Sequence, residues 1–304
     1  MIWGYLVHLS FNMWADRSVP ELKDEHASAK PYLRFDKSLW NDILKKMAEL
    51  GLNMVVIDLG DAVRYKTHPE IAVKDAWSVE QLKDEISKAR DIGIEPIPKL
   101  NFSTCHDAWL GPYSRCVSTK VYYEVCKDLI SEVVDIFEKP RFFHLGMDEE
   151  TAEHQRYYDY VVVRQFDLWW HDLLFLLEEV KRHGVRPWIW SDSLWRKREE
   201  FFKKMPKEVV QSNWYYDVEF NDSINYVRAY LELEAHGYDQ IPTGSNYSFS
   251  ENFPKTVSFC KKHISRERLL GFLQTSWKPT LEEFRQKHIE AIELVAKGMK
   301  EFLS

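Results

Sequence analysis

The sequence predicts an α/β protein, a single (β/α)8 (TIM) barrel, and three observations carry that reading. Short apolar runs alternate with longer amphipathic stretches eight times over 304 residues, the pattern of parallel strands joined by crossover helices. Eight such units suit a closed barrel. The rival, an open doubly wound sheet, usually has a Gly-rich first turn, and the chain contains neither G-x-G-x-x-G nor a P-loop.

The elements follow in order. Residues 2–10 (IWGYLVHLS) form the first apolar run, and a long polar loop follows. Residues 37–50 place Leu39, Trp40, Ile43, Leu44, Met47 and Leu50 at helical spacing, and Gly51 ends that helix. NMVVIDLGD (53–61) is the second strand. Ser78 and Gln81 form a capping box that opens a helix carrying Leu82, Ile86 and Ala89, and Gly93 ends it. Strands are then expected at 94–102, 141–146, 186–192, 209–214, 240–247 and 269–277. Helices are expected at 118–138, 160–183, 197–205, 223–236 and 254–268. Thr280 and Glu283 form a second capping box for a last helix with Phe284, His288, Ile292, Val295, Met299 and Phe302 on one face. Trp169 and Trp170 lie mid-helix and read as core. No linker divides the chain, so residues 1–304 are expected to form one domain.

Composition narrows the function. A net charge of −7 argues against a nucleic-acid partner, which needs a basic surface. No apolar run approaches the ~20 residues that span a bilayer, so no membrane partner is expected. The start, MIWGYLVHLSFNMW, lacks a basic segment and a small-residue cleavage site. A cytoplasmic location is expected, or secretion if a leader has been trimmed away. Cys105, Cys116, Cys126 and Cys260 lack zinc-finger spacing and are too few for a disulfide scaffold. They read as free thiols, with Cys105 and Cys116 able to pair only in a secreted protein. No cofactor and no metal is expected. The unusual feature is 17 Phe, 15 Tyr and 12 Trp, more rings than a core requires. Trp at loop tips would wall a pocket for flat or sugar-like ligands.

In barrels of this kind chemistry sits at the C-terminal strand ends. Those ends offer Asn12, Trp14, Asp16 and Arg17 after strand one, Asp58, Asp61 and Arg64 after strand two, and Asn101 and His106 after strand three. Strand four ends in His144, Asp148, Glu149 and Glu150. Trp190 and Asp192 end strand five, Trp214 strand six, Asn246 and Tyr247 strand seven, and Trp277 strand eight. Paired acids inside a ring of aromatics are what glycoside chemistry uses. Ring faces hold a pyranose, while two carboxyl groups of different acidity protonate the leaving oxygen and stabilise the cationic transition state.

The same residues carry a resemblance. FHLGMDEE (143–150) resembles the H-x-G-x-D-E motif of glycoside hydrolase family 20, the β-N-acetylhexosaminidases. DLGDAVRYKTHPEI (58–71) and ISKARDIGIEPIPKLNF (86–102) are similar to two further segments of that family, and WSD, QSNW and GFLQTSW resemble its Trp-bearing strand ends. The resemblance implies retaining hydrolysis of a β-linked 2-acetamido sugar, in which the substrate's own acetamido oxygen attacks the anomeric carbon. It implies that Asp148 orients the acetamido group and that Glu149 is the general acid and then the base. Asp58, Asn101 and His106 would sit behind Glu149. Trp190, Trp214 and Trp277 would wall the sugar, Tyr247 would bond the acetamido oxygen, and His144 and Asp192 would also face substrate.

Departures accompany the match. The family's sugar-gripping Arg at the end of strand one falls on Phe11, with Arg17 as a possible substitute. Its Tyr-x-Asp reads Tyr247-Ser248-Phe249, its Trp-x-Glu reads Trp277-Lys278-Pro279, and its third-strand acid is Asn101, with His106 one residue out of register. Altered hydroxyl specificity is therefore expected. Two other readings stand beside this one: a non-catalytic sugar-binding barrel, and a metal-dependent barrel using His144, Asp148, Glu150 and His154.

Overall fold

A computed structural model describes residues 1–19 and 25–304. Part of the polar loop after the first strand therefore lies outside the described residues. Eight parallel strands make one sheet: β1 (Ile2–His8), β2 (Met54–Asp58), β3 (Glu95–Lys99), β4 (Phe142–His144), β5 (Arg186–Trp190), β6 (Val210–Ser212), β7 (Thr243–Ser245) and β8 (Gly271–Thr275). Their order is β6-β5-β4-β3-β2-β1-β8-β7. The remaining seam, between β6 and β7, is closed by bridges Gln211–Gln240 and Trp214–Thr243. The fold is thus the predicted (β/α)8 barrel, and every expected strand contains an observed one.

The longer helices are α1 (Lys37–Leu50), α2 (Val79–Asp91), α3 (Lys120–Ile136), α4 (Phe166–Arg182), α5 (Arg198–Lys204), α6 (Asn225–Ala235), α7 (Asn252–His263) and α8 (Arg285–Leu303). The limits of α1 are those its apolar spacing predicts. The Asp36 side chain accepts from the Ser38 and Leu39 amides, and Gly51 closes the helix at φ 81°. Ser78 caps α2 by accepting from the Gln81 amide. The second capping box fails. Helix α8 begins at Arg285 after a 3-10 turn, because the Thr280 hydroxyl donates instead to the His8 carbonyl at 2.7 Å. A buried strand carbonyl needs that donor more than an exposed helix end does. Helix α4 starts six residues later than expected at 166, since the segment before it serves the site. Trp169 and Trp170 are buried as expected, and all four cysteines are free. Among the described residues no helix is long and apolar enough to cross a membrane.

Two apolar layers hold the barrel. One lies between sheet and helices. The other fills the interior with Leu6, Val56, Ile97, Phe142, Trp188, Val210, Ile241 and Leu273. One step up, at the C-terminal end, the interior turns polar. His8, Asp58, Lys99 and His144 are successive register partners across β1 to β4. Lys99 is fully buried and ion-paired to Asp58, and His8 lies 3.3 Å from the same carboxylate. Burial alone would raise the Asp58 pKa, but Lys99 and His8 hold it below the usual range. A buried charge is tolerated only with such a partner. This layer is the floor of the site.

Candidate active site

The site grows from the turn after β4. Gly146, Met147 and Glu149 have φ of 69°, 75° and 56°, a cluster of left-handed backbone that side chains other than Gly adopt only when their surroundings impose it. Asn101 imposes it. Its Oδ1 accepts from the Met147 and Ser103 amides, both at 3.1 Å, and its Nδ2 donates to Asp148 Oδ1 at 2.8 Å. A Cβ on Gly146 would meet Asn101 Oδ1 at 2.0 Å, so only glycine fits. The Cys105 thiol donates to the Glu149 carbonyl at 2.6 Å, and the Glu149 amide donates to Asp192 Oδ2 at 2.9 Å.

That twisted turn sends three consecutive carboxylates three ways. Glu150 leaves the site, clamped by Arg164 at 2.6 and 2.9 Å. Asp148 points inward, buried. Glu149 enters the cleft with its side chain 26% exposed. Adjacent residues of a regular strand point to opposite faces, yet His106 Nε2 lies 3.2 Å from Asp148 Oδ2 and 3.4 Å from Glu149 Oε2. The left-handed Glu149 lets both acids share one imidazole.

Electrostatics follow from that trio. Burial would lower the His106 pKa, but the Asp148 and Glu149 carboxylates outweigh it and push it up to about 10. Burial would raise the pKa of Asp148, but His106, Lys99 and Asn101 hold it well below the carboxylate range. Asp148 is thus a fixed carboxylate and His106 a fixed imidazolium. Asp192 goes the other way. Burial, then the charges of Asp148 and Glu149, raise it well above its ordinary value and favour its protonated form.

The donor atoms of His106, Asp148 and Glu149 lie within 4.8 Å of one another. The alternative metal set of His144, Asp148, Glu150 and His154 is not assembled among the described residues, since Glu150 is spent on Arg164 and His144 is buried below the turn.

A cleft of about 390 Å³ opens over the pair. Asn101, His106, Asp148, Glu149, His154, Arg156 and Tyr157 line it from the segments after β3 and β4, and Phe11, Met13, Trp14, Trp214, Tyr216 and Trp277 from those after β1, β6 and β8. Of the expected substrate contacts, Trp214, Tyr247 and Trp277 reach the cleft. Tyr247 sits at its mouth, 53% exposed, with Lys278 Nζ 5.6 Å from its ring centre. Trp190, Asp192 and His144 stand one layer back. The Trp190 ring centre is 4.3 Å from His144 and 6.0 Å from Trp277. His144 Nδ1 accepts from the Gly146 amide at 3.0 Å, and burial followed by Lys99 keeps the ring neutral. Asp58 is in the floor rather than behind Glu149, and Asn101 serves Asp148. Arg17 does not replace the missing arginine, since it pairs with Asp159 at 3.0 Å on the surface. Phe11 lines the cleft where that arginine was expected.

Tyr216 lines the cleft outside the sequence reading, and His154, expected only as a metal ligand, lines it beside Glu149. Tyr216 has its hydroxyl buried near Trp277 and Thr275, with no well-formed hydrogen bond. His154 lies 3.5 Å from Glu149 Oε1. The signal for Tyr216 was its place two residues past Trp214, on the same face of an extended strand end.

Comparisons with known proteins come at the level of structure. No family model matches the chain, and no curated protein matches it in sequence. Solved structures do match. A β-N-acetylhexosaminidase from Bacteroides fragilis superimposes with a TM-score of 0.68 at 14% identity, over 97% of this chain and 65% of that one. Dispersin B gives 0.59 at 16% identity, over 86% and 95%. A GH20 exo-β-N-acetylglucosaminidase from Vibrio harveyi, solved with N-acetylglucosamine, gives 0.61 at 13% identity, over 99% and 57%. The chain thus spans less than two thirds of the first and third of these proteins. The fold is the barrel that these family 20 enzymes share, as the motifs of the sequence resemble theirs.

Proposed function

We propose that the cleft hydrolyses a β-linked 2-acetamido glycoside with retention, by substrate assistance. One observation carries the reading: Asp148 and Glu149 converge on His106 at the end of β4, in different states of solvation, beneath an aromatic wall. Asp148, locked as a carboxylate, orients the acetamido nitrogen and stabilises the positive charge that develops on the ring it forms. Glu149, the more exposed acid, protonates the leaving oxygen and later takes a proton from the attacking water. Trp214 and Trp277 hold the sugar and acetamido faces. Tyr216, buried in the cleft, is better placed than the half-exposed Tyr247 to bond the acetamido oxygen. The apolar Phe11, Met13 and Trp14 favour a sugar whose hydroxyls on that side are few, capped or read through water.

The test is hydrolysis of aryl β-glycosides of N-acetylglucosamine, N-acetylgalactosamine, glucose and galactose, with and without a 2-acetamido thiazoline inhibitor. Turnover of only the acetamido sugars, blocked by the thiazoline, is expected. Turnover of the plain sugars would sink the acetamido mechanism.

A further inference from the structure

The geometry points to His154 as a second imidazole that shares the catalytic proton with Glu149, an inference that rests on Glu149 being the acid and base. The two oxygens of Glu149 are served from opposite sides. Oε2 lies 3.4 Å from His106 Nε2, and Oε1 lies 3.5 Å from His154 Nε2. The two rings differ in what they can do with a proton. His106 is buried against two carboxylates, which fix its charge. His154 lines the cleft with its side chain 35% exposed, so it exchanges protons with water.

The other face of His154 fixes which nitrogen faces Glu149. Its Nδ1 lies 2.7 Å from Thr151 Oγ1. A proton exchanged at Nε2 leaves Nδ1 protonated in both forms of the ring. Nδ1 therefore donates to Thr151 throughout, and Nε2 is the nitrogen that gains and loses the proton. The His154 amide donates to the same oxygen at 3.3 Å and fixes the turn that carries both.

The chemistry needs such a partner. Glu149 must be an acid in the first step and a carboxylate in the second. The permanent imidazolium of His106 favours the carboxylate throughout. A His154 Nε2 that accepts from Glu149 O–H favours the acid. At rest the pair holds one proton, on oxygen or on nitrogen. It passes to the leaving oxygen as that oxygen takes the electron pair of the broken C–O bond. It returns from the water whose oxygen bonds the anomeric carbon. The other ionisable groups around the pair are Asp148 beside His106, Asp192 at the Glu149 amide, and Glu153, Arg156 and Tyr157 on the turn of His154. The opposite wall offers Phe11, Met13 and Trp14, which do not titrate, and Tyr216, whose hydroxyl burial pushes far up.

The test is His154→Gln, which keeps a polar amide in place of the ring and cannot titrate. On a 2-acetamido disaccharide kcat is expected to fall about tenfold with KM unchanged, and on an activated aryl glycoside less than about twofold. The basic limb of the kcat/KM profile moves about one pH unit lower. A merely structural role would slow both substrates alike and leave the limb in place. Imidazole NMR of the free protein reads the same coupling without turnover, as a His154 titration curve that moves in Glu149→Gln. An unmoved limb, or a His154 titration indifferent to Glu149→Gln, overturns the proposal. If wild-type protein turns over neither substrate, the assignment of Glu149 fails, and the NMR titration alone decides whether the pair shares a proton.

Discussion

The two walls of the cleft are held by opposite means. On the β3–β4 side each group is fixed by another: Asn101 holds the turn and Asp148, Asp192 holds the Glu149 amide, and Arg164 takes Glu150 away. The position of the turn is thus set by its neighbours. On the β1, β6 and β8 side, rings hold rings. Phe11 and Trp14 lie 4.4 Å apart between centroids, and Trp14 and Trp277 meet edge-on at 6.3 Å. The buried Trp277 Nε1 lies near the Tyr216 hydroxyl without a well-formed hydrogen bond. On the proposed mechanism, one wall is preorganised for a charge that develops during reaction. The other is an apolar surface, adaptable in what it meets. Chemistry and specificity would then sit on separate strands, so that either can change while the other stays.

The sharpest test of that division acts on the polar wall. Glu149→Gln is expected to cost about 10²–10⁴-fold in rate on glycosides with poor leaving groups and far less on activated aryl glycosides. Asp148→Asn is expected to slow both kinds. Equal losses for both substrates in Glu149→Gln would remove its role as acid. Next comes Gly146→Ala. It should destabilise the protein by roughly 2–4 kcal/mol in denaturant titration, since the new methyl meets Asn101 at a left-handed position. A neutral outcome would show that the turn is not strained against Asn101.

The fixed imidazolium predicts a pH dependence of stability. His106 has a folded pKa raised to about 10, so its contribution is full below an unfolded value of about 6.5 and is lost as pH rises toward 10. Asp148 is depressed, so its contribution is full above an unfolded value of about 4 and is lost as pH falls. The joint contribution of these two groups should therefore be greatest between about pH 4 and 6.5 and fall on the alkaline side by about 1–2 kcal/mol; Asp192, raised instead, adds to the decline as pH rises. His106→Gln should flatten the alkaline decline. A decline of the same slope in that variant would assign it to other groups.

On the apolar wall, Phe11→Ala should raise KM about tenfold and leave kcat within about threefold, the loss of one aromatic contact. A hundredfold fall in kcat would show that the walls are not separable. The smallest effect expected is for Tyr247→Phe at the exposed mouth, less than about twofold, against a larger loss for Tyr216→Phe. The reverse order would return the acetamido contact to Tyr247.

How much of this was legible depends on the range of the force involved. Strand and helix positions are written in local periodicity, and α1 shows it best. Its apolar stripe, the cap at Asp36 and the Gly51 stop all lie within the element. The acid pair was legible because a strand end places it at the barrel mouth. The Thr280 cap was misread because its hydroxyl is taken by the His8 carbonyl, 272 positions away in sequence. A strand end names a neighbourhood, not a depth, and Trp190, Asp192 and His144 accordingly stand one layer behind the cleft rather than in it.

The sequence by itself determined the barrel, the aromatic surplus and the DEE run after β4. Tertiary structure alone decided where those three carboxylates go. A left-handed Glu149, held by contacts from β3 and β5, overrides strand alternation and joins Asp148 and Glu149 through His106. It likewise decided that Tyr216 and His154 enter the cleft while Glu150 leaves it. Periodicity encodes the face a residue shows, but the convergence of strand ends from distant parts of the chain sets which side chains meet and in what protonation state.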